Sequence, residues 1–223
     1  MKKIIIIIQA RLTSSRFPGK VLKKIAKKTL LEIMYLRLSN LKKNYKIIFA
    51  IPKNSKNLKL KNFLIKKKIP FGVGPEKNVL KRIYSICLNY NPETVIRLTC
   101  DCPLIDANII NLMIKKFQSN KEIDYISNTT LAKNKFPDGM DVEIFKFSAL
   151  KKAYKNSKTA YEKEHVTTYI QKKLKSSTFE AKRDYSKKRW TVDTPKDFNK
   201  IKKILSNFNY NFKVSYNEII KYF

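Results

Sequence analysis

The sequence predicts an α/β fold built on a mainly parallel β-sheet, and three observations support this class. Five consecutive isoleucines, Ile4–Ile8, form an aliphatic run of the kind found in a strand that is buried on both faces. Further short apolar segments alternate with amphipathic segments, a rhythm typical of βαβ units with right-handed crossovers. Hydrophobic residues make up 43% of the 223-residue chain and aromatic residues 12%, so the chain carries enough apolar surface to fold.

The first half of the chain predicts a regular order of elements. We expect strands over residues 4–8, 46–51, 69–73 and 93–98. We expect helices over residues 30–38, 58–67, 79–88 and 105–117. Pro52 ends the second strand because proline cannot continue the ladder. This order indicates a parallel sheet whose strands are connected by helices.

The rhythm changes in the second half. We expect strands over residues 123–127, 142–147, 179–181 and 189–192, and helices over 150–155 and 162–173. A last helix begins at Thr194 and Pro195, because threonine is a good N-cap and proline suits the first helical turn. We therefore expect one domain over residues 1–223, with an inserted lobe around 128–175 that covers the ligand edge of the sheet.

Composition excludes several classes of protein. The longest aliphatic run has far fewer than the roughly 20 residues that cross a bilayer, and it is too short for a signal peptide. Three cysteines are too few for a disulfide scaffold, and with the single histidine they make no evident four-ligand zinc site. We expect a cytoplasmic protein with reduced, unligated thiols and no membrane partner.

The charge is strongly positive, with 49 Lys and Arg against 17 Asp and Glu and a formal net charge of +32. Lysines occur along the whole chain, which favours a solvated surface over a dedicated surface for polyanions. The sequence has no helix-turn-helix, zinc-finger or aromatic-rich RNA-binding motif. A basic nucleic-acid-binding protein therefore remains only a minor alternative.

The first segment that could carry chemistry follows the first expected strand. In open α/β sheets ligands bind beyond the carboxyl ends of the strands, and here residues 9–20 supply arginines, a lysine and hydroxyl groups. Such groups converge well on phosphate oxygens. The candidate binding residues are Arg11, Ser14, Ser15, Arg16 and Lys20. The segment is neither a Walker A loop nor a dinucleotide-binding motif, and an ordinary basic surface loop remains the alternative.

Two carboxylates follow expected strands elsewhere in the chain. Asp101 follows the strand at 93–98, and Asp193 follows the strand at 189–192. Because parallel strand ends meet at one edge, the two could share a hard cation such as Mg²⁺, completed by phosphate and water. The alternatives are a turn residue for Asp101 and a helix-cap acid for Asp193. Asp106 is expected to cap the helix that follows it.

Polar groups between these segments fall in the region that should cover the site. The segment at 137–143 holds Asp138, Asp141 and Glu143, and the segment at 164–167 holds His165. A lone histidine is more often a satisfied structural residue than a catalyst.

Five motifs occur in one order across nearly the whole chain. They are IQARLTSSRFPGKVL (8–22), RLTCDCPLID (97–106), FPDGMDVE (136–143), EHVT (164–167) and RWTVDTP (189–195). Together they resemble the spore-coat-polysaccharide-type members of the cytidylyltransferase family, relatives of the CMP-ulosonate and acylneuraminate cytidylyltransferases. The resemblance implies a three-layer, nucleotide-diphospho-sugar-transferase-like fold of Rossmann-like type. It also implies a CTP-dependent enzyme that activates a small sugar acid or phosphorylated acceptor for surface polysaccharide synthesis and releases pyrophosphate.

The resemblance also implies roles for individual residues. The nucleotide side would comprise Arg11, Ser14, Ser15, Arg16, Lys20, Arg97 and Thr99. Mg²⁺ would be held by Asp101 and Asp193, which with Arg16 and Lys20 make the catalytic set. The acceptor side would comprise Asp138, Asp141, Glu143 and His165.

Two positions depart from the pattern of the relatives. Cys100 stands where many relatives place glycine, and the Phe49–Pro52 segment replaces an Ala-Thr-Thr/Asp type sequence beside the base. A nucleotidyltransferase that uses another NTP is therefore a second hypothesis, disfavoured because those enzymes usually carry a glycine-rich first loop.

The expected partners are CTP and a small-molecule acceptor, and a homodimer stays open.

Overall fold

A seven-stranded β-sheet forms the centre of the computed structural model, which describes residues 3–42, 45–129 and 135–222. The strands are β1 (Ile4–Gln9), β2 (Lys24–Ile25), β3 (Lys28–Thr29), β4 (Lys46–Pro52), β5 (Phe71–Gly74), β6 (Thr94–Thr99), β7 (Tyr125–Ser127), β8 (Glu143–Lys146) and β9 (Ser176–Thr178). The order across the sheet is β5-β4-β1-β6-β8-β7-β9, and β2 pairs with β3 in a separate hairpin. Only β8 runs antiparallel to its neighbours, so the prediction of a mainly parallel sheet is confirmed.

The isoleucine run forms β1, an interior strand between β4 and β6, and is buried on both faces. Ile4, Ile6 and Ile8 join one hydrophobic core, whereas Ile5 and Ile7 join the other. Alternate side chains of a strand point to opposite faces, so a continuous apolar run requires cover on both. The sequence prediction for this strand is confirmed.

Helices cover both faces of the sheet. They are α1 (Leu30–Leu38), α2 (Leu58–Lys66), α3 (Val79–Tyr90), α4 (Ala107–Ser119), α5 (Phe147–Asn156), α6 (Ala160–His165), α7 (Thr168–Lys173), α8 (Pro195–Ser206) and α9 (Tyr216–Tyr222). Apolar residues of α1, α2, α4, α8 and α9 enter one core, and those of α3, α5 and α7 enter the other. The architecture is a three-layer α/β sandwich, as the resemblance implied.

Two expected helix starts are confirmed by their capping geometry. The Thr194 side chain accepts a hydrogen bond from the Asp197 amide, while the Asp197 carboxylate accepts one from the Thr194 amide, a capping box at the start of α8. Asp106 Oδ1 accepts hydrogen bonds from the amides of Asn108 and Ile109 at the start of α4.

Several expected elements of the second half are wrong. The helix expected over 162–173 is two helices, α6 and α7, separated at Val166, which has φ 60° and ψ −57°. A tight turn forms there, closed by a hydrogen bond of 2.6 Å from the Thr167 amide to the His165 carbonyl. Such a turn is rare for a β-branched residue. Val166 is fully buried, so the apolar spacing of the sequence runs through the turn and gives no sign of the break between the two helices.

The last two expected strands are also wrong. Pairing with β7 uses residues 176–178 instead of 179–181, and residues 189–192 make only one isolated bridge, between Arg189 and Asp138. The 189–192 segment is apolar because Trp190 and Val192 are buried in the core, which does not require a sheet neighbour. The lobe expected around 128–175 includes residues 130–134, which lie outside the described residues. The division into one domain with this inserted lobe stays a prediction. In the part of the chain that the structure describes, no helix is long and apolar enough to cross a membrane.

Candidate active site

The carboxyl ends of three parallel strands meet at one edge of the sheet. Gln9, at the end of β1, is in register with Ala50 of β4 on one side and Thr99 of β6 on the other. Ligands of open α/β sheets bind outside such an edge. The loops that follow β1 and β6 therefore face the same space.

The loop after β1 is anchored at two points. The Leu12 amide donates a hydrogen bond of 2.8 Å to the side-chain oxygen of Asn57, a buried residue just before α2. The Gly19 amide donates to the Leu12 carbonyl at 2.9 Å, which closes the loop on itself. These bonds hold the loop so that the side chain of Lys20 turns inward, where it is almost completely buried.

Lys20 joins the two carboxylates that the sequence singled out. Its Nζ lies 2.8 Å from Asp101 Oδ2 and 2.9 Å from Asp193 Oδ1. Burial by itself would lower the pKa of Lys20, but Asp101 and Asp193 outweigh burial and raise it. Lys20 is therefore a fixed positive charge at neutral pH.

Asp193 is surrounded by cations. Arg16 Nη2 and Arg189 Nη2 lie 3.0 and 2.7 Å from its Oδ2, and Lys20 takes the other oxygen. Burial would raise the pKa of Asp193, but the hydrogen bond and charge of Lys20, with the charge of Arg16, lower it. The carboxylate therefore stays ionised.

Asp193 reaches this position by a route that the sequence analysis misjudged. It does not follow a strand; instead, the amide of Val192 donates a hydrogen bond of 2.8 Å to the Asp101 carbonyl, which brings the two aspartates together. The 136–143 segment also packs against the segment that leads to Asp193. A Cβ on Gly139 would lie only 2.4 Å from the Thr191 nitrogen. Only glycine permits that close approach.

A polar cleft of about 240 Å³ lies over this sheet edge. The residues expected to hold the nucleotide all line it: Arg11, Ser14, Ser15, Arg16, Lys20, Arg97 and Thr99. Asp101, Asp193 and His165 line it as well. The structure thus brings the expected nucleotide-binding set into one cleft.

A second cavity of about 250 Å³ adjoins the first and shares Arg97, Thr99 and His165 with it. Its other polar residues include Asp141 and Glu143 of the expected acceptor side. His165 is exposed and its ring lies 4.1 Å from that of Tyr161. His165 thus lies where the two cavities meet.

The expected acceptor residues have different surroundings. Asp138 accepts hydrogen bonds from Arg189 and from the Thr191 hydroxyl, the latter at 2.5 Å. Glu143 is buried and pairs with Arg97, while its other oxygen accepts hydrogen bonds from the hydroxyls of Tyr125 and Thr167 at 2.8 and 2.5 Å. Glu143 is thus mainly engaged in a network under the second cavity.

Among the expected acceptor residues, Asp141 has a pKa well above the usual value of an aspartate. Burial and then the negative charge of Asp138 raise its pKa to about 7. Asp141 therefore changes charge near neutral pH. A carboxyl group with this property can accept or donate a proton during a reaction.

Several residues of this site were assigned no role from the sequence, and three of them make instructive examples. Val79 and Arg82 of α3 line the nucleotide cleft, and Arg189 connects Asp138 with Asp193. Val79 and Arg82 lie in the helix that follows β5, so the strand-end rule could have found them. The Phe49–Pro52 segment, expected to border the base, does not line the cleft.

The cysteines of the described chain are free and buried. Cys100 lines the cleft beside Asp101, and burial raises the pKa of its thiol well above the usual range. The thiol is therefore neutral and contributes bulk rather than charge. The prediction of reduced thiols agrees with this arrangement.

Comparison with known proteins relates this geometry to a family. Residues 5–219 match the cytidylyltransferase family. The chain is similar to an uncharacterized protein of Methanocaldococcus jannaschii, with 36% identity over 88% of this chain and 80% of that protein. It is also similar to the spore coat polysaccharide biosynthesis protein SpsF of Bacillus subtilis, with 28% identity over 99% of this chain and 93% of that protein.

Two solved structures share the fold. A cytidylyltransferase from Leptospira borgpetersenii superimposes with a TM-score of 0.93 and 31% identity, covering 100% of this chain and 94% of that one. A CMP:2-keto-3-deoxy-manno-octonic acid synthetase complexed with CTP superimposes with a TM-score of 0.72 and 14% identity, covering 93% of this chain and 100% of that one. The second comparison shows the fold alone.

Proposed function

Because the chain belongs to the cytidylyltransferase family, we propose that it transfers a cytidylyl group from CTP to a small sugar acid or phosphorylated acceptor and releases pyrophosphate. The observation that carries the proposal is the cleft at the sheet edge, where Arg16, Lys20 and the hydroxyls of Ser14 and Ser15 face one space. The similarity to a protein of spore coat polysaccharide biosynthesis supports an acceptor destined for surface polysaccharide.

The residues of the cleft suit nucleotidyl transfer. An acceptor oxygen attacks the α-phosphorus in line and pyrophosphate leaves, so the protein has to position the reactants and neutralise charge. Arg16 and Lys20 would neutralise the leaving pyrophosphate, and the raised pKa of Lys20 in the free chain means that its ammonium is protonated before the nucleotide binds. Asp141, beside the second cavity, could take the proton of a hydroxyl acceptor, whereas a phosphate or carboxylate acceptor needs no strong base.

We also propose that Asp101 and Asp193 hold Mg²⁺ when the nucleotide is bound. No group of three or more His, Cys, Asp or Glu side chains among the described residues is arranged to hold a metal. Magnesium usually takes only one or two protein carboxylates and completes its shell with phosphates and water. Lys20 contacts Asp101 and Asp193 at once, so the two carboxylates lie close enough to supply one ligand each to such an ion. The ion would supply charge stabilisation at the phosphates.

A pyrophosphate-release screen tests the proposed reaction. The four NTPs are each combined with sugar acids, sugar phosphates and neutral sugars. We expect release above background with CTP and an acid or phosphate acceptor. Release that requires a different NTP, or no release with any pair, would contradict the proposal.

Metal dependence is tested with Asp101→Asn and Asp193→Asn. The amide keeps the shape of the side chain but removes the charge that the cation needs, so turnover should be almost completely lost. CTP binding measured by calorimetry should weaken much less, because Arg16 and Lys20 still face the phosphates. Full activity in EDTA would overturn the metal assignment.

A further inference from the structure

The ammonium of Lys20 lies between the two carboxylates that are proposed to hold a divalent cation. Its Nζ is 2.8 Å from Asp101 Oδ2 and 2.9 Å from Asp193 Oδ1. Only 8% of the Lys20 side chain is exposed, so the ammonium is enclosed with these carboxylates rather than free in solvent. A cation that takes one oxygen from each aspartate would need this same space.

The other oxygens of the two aspartates have different partners. Asp193 Oδ2 is held by Arg16 and Arg189, at 3.0 and 2.7 Å. Asp101 Oδ1 faces the Cys102 thiol, whose sulfur lies 3.8 Å away. A cation bound by both aspartates therefore has to compete with the ammonium for one pair of oxygens.

The ammonium and a divalent cation exclude each other at this position. Positive charges a few Å apart repel, and the repulsion is strong where water is largely excluded. Lys20 can leave by rotation of its flexible side chain alone. Its backbone is held in place, because its amide donates to the Phe17 carbonyl at 3.2 Å and its carbonyl accepts from the Lys23 amide at 3.0 Å.

We propose that Lys20 is a placeholder for the divalent cation in the free chain. Its ammonium keeps Asp101 and Asp193 together, since two carboxylates with no cation between them would repel, and it blocks the binding of a metal ion alone. Phosphates in the cleft give the ammonium new partners, so that it releases both carboxylates. This inference rests on the proposed metal site. It follows that the polyphosphate and the cation bind cooperatively and that the free chain binds the cation weakly.

The test measures binding of Mn²⁺ alone, as a probe for Mg²⁺, to the chain without nucleotide. Calorimetry should show weak binding to wild type. Lys20→Met removes the competing charge and keeps a side chain of similar length, so its affinity for Mn²⁺ should be about 10- to 100-fold higher. Mn²⁺ should also raise the Tm of Lys20→Met more than that of wild type. Lys20→Gln keeps an amide donor for the carboxylates, and it should show the same changes if Lys20→Met does not fold.

Three control variants separate the charge at position 20 from other effects. Lys20→Arg keeps a positive charge and should bind Mn²⁺ as weakly as wild type. Lys24→Met removes an exposed lysine and should leave Mn²⁺ binding unchanged. Asp101→Asn added to Lys20→Met should return the affinity to that of wild type, because the cation loses one of its two carboxylates.

The outcomes are distinguishable. Tighter Mn²⁺ binding by Lys20→Met that is lost with Asp101→Asn supports the inference. Wild type that binds Mn²⁺ alone as tightly as the neutral variants would overturn it. A gain in affinity that survives Asp101→Asn would overturn it as well, because the ion would then bind elsewhere. The expected Mn²⁺ results from a chain that neither binds CTP nor releases pyrophosphate would support the inference and contradict the proposed function.

Discussion

At the scale of single residues, Lys20 is the centre of the site. It lines the cleft, is buried and contacts both aspartates, so its charge is shielded from water and would act strongly on the phosphates of the proposed nucleotide. Lys24, four positions later, is exposed in the small β2–β3 hairpin and forms no ion pair with the residues that the structure describes. The two lysines therefore form a matched pair for measurement.

Lys20→Ala should lower kcat/KM sharply. Loss of a shielded charge that faces the reacting phosphates costs about 2–4 kcal/mol of transition-state stabilisation. Steady-state kinetics with CTP checks this, and Lys24→Ala should retain nearly full activity. Equal losses in both variants would mean that diffuse positive charge, rather than a built site, binds the nucleotide.

The raised pKa of Asp141 predicts that the stability of the folded chain depends on pH. Burial and Asp138 raise the pKa of Asp141 to about 7 from an unfolded value of 3.8, so the folded chain prefers the protonated acid. Between those values the folded state binds more protons than the unfolded state, and stability falls as the pH rises. Each pKa unit corresponds to about 1.4 kcal/mol, and water in the open cavity reduces the observed effect.

Asp141→Asn should therefore flatten this dependence. The free energy of unfolding by urea is measured at pH 5 and pH 8 for both chains. Wild type should lose more stability than Asp141→Asn over this interval, by about 1–3 kcal/mol. Parallel behaviour of the two chains would show that Asp141 has an ordinary pKa.

At the scale of elements, the start of α8 connects helix stability with the site. Thr194 caps α8 and directly follows Asp193, while Asp197 accepts hydrogen bonds from the amides of both residues. The cap thus fixes the backbone that carries the Asp193 carboxylate. A similar arrangement of Ser215 and Glu218 begins α9, away from the cleft.

Thr194→Ala should lower both stability and activity. Loss of the cap costs about 1 kcal/mol of unfolding free energy, and a loosened Asp193 should reduce kcat. Ser215→Ala should cost a similar amount of stability and leave kcat unchanged. Urea unfolding and steady-state kinetics on the two variants measure both effects, and an equal loss of kcat in both would contradict the connection.

At the scale of the whole molecule, we expect the net charge of +32 to be mainly a solvated surface charge rather than a dedicated surface for polyanions. The cations that the structure brings together in the cleft are Arg11, Arg16, Lys20, Arg82 and Arg97. Most other basic residues are lysines spread over the exposed surface. Such a surface attracts polyanions weakly and in a salt-dependent way.

Binding to nucleic acid should therefore be weak at physiological salt. Fluorescence anisotropy with duplex and single-stranded DNA between about 50 and 200 mM salt should show affinity falling steeply with salt concentration. CTP should not compete, because its proposed site is the cleft rather than the exposed lysine surface. A tight, sequence-selective complex at physiological salt would instead favour a nucleic-acid-binding function.

The sequence by itself determined the features that depend on local pattern. The isoleucine run predicted a strand buried on both faces, the alternation predicted a mainly parallel sheet, and Asp106 and Thr194 predicted helix starts. Each of these rests on spacing within a few residues, so neighbouring side chains are sufficient evidence. The ordered motifs likewise indicated the family, because separate blocks had to agree.

The tertiary structure decided how distant residues meet. Lys20 reaches Asp101 and Asp193 across 81 and 173 positions of the chain, and Asp193 does so from a segment that is not a strand. Arg82 joins the cleft from α3, which packs so closely on Gly74 that a Cβ there would meet the Arg82 side chain. Local periodicity cannot encode such contacts, because they depend on which surfaces pack together after the elements have formed.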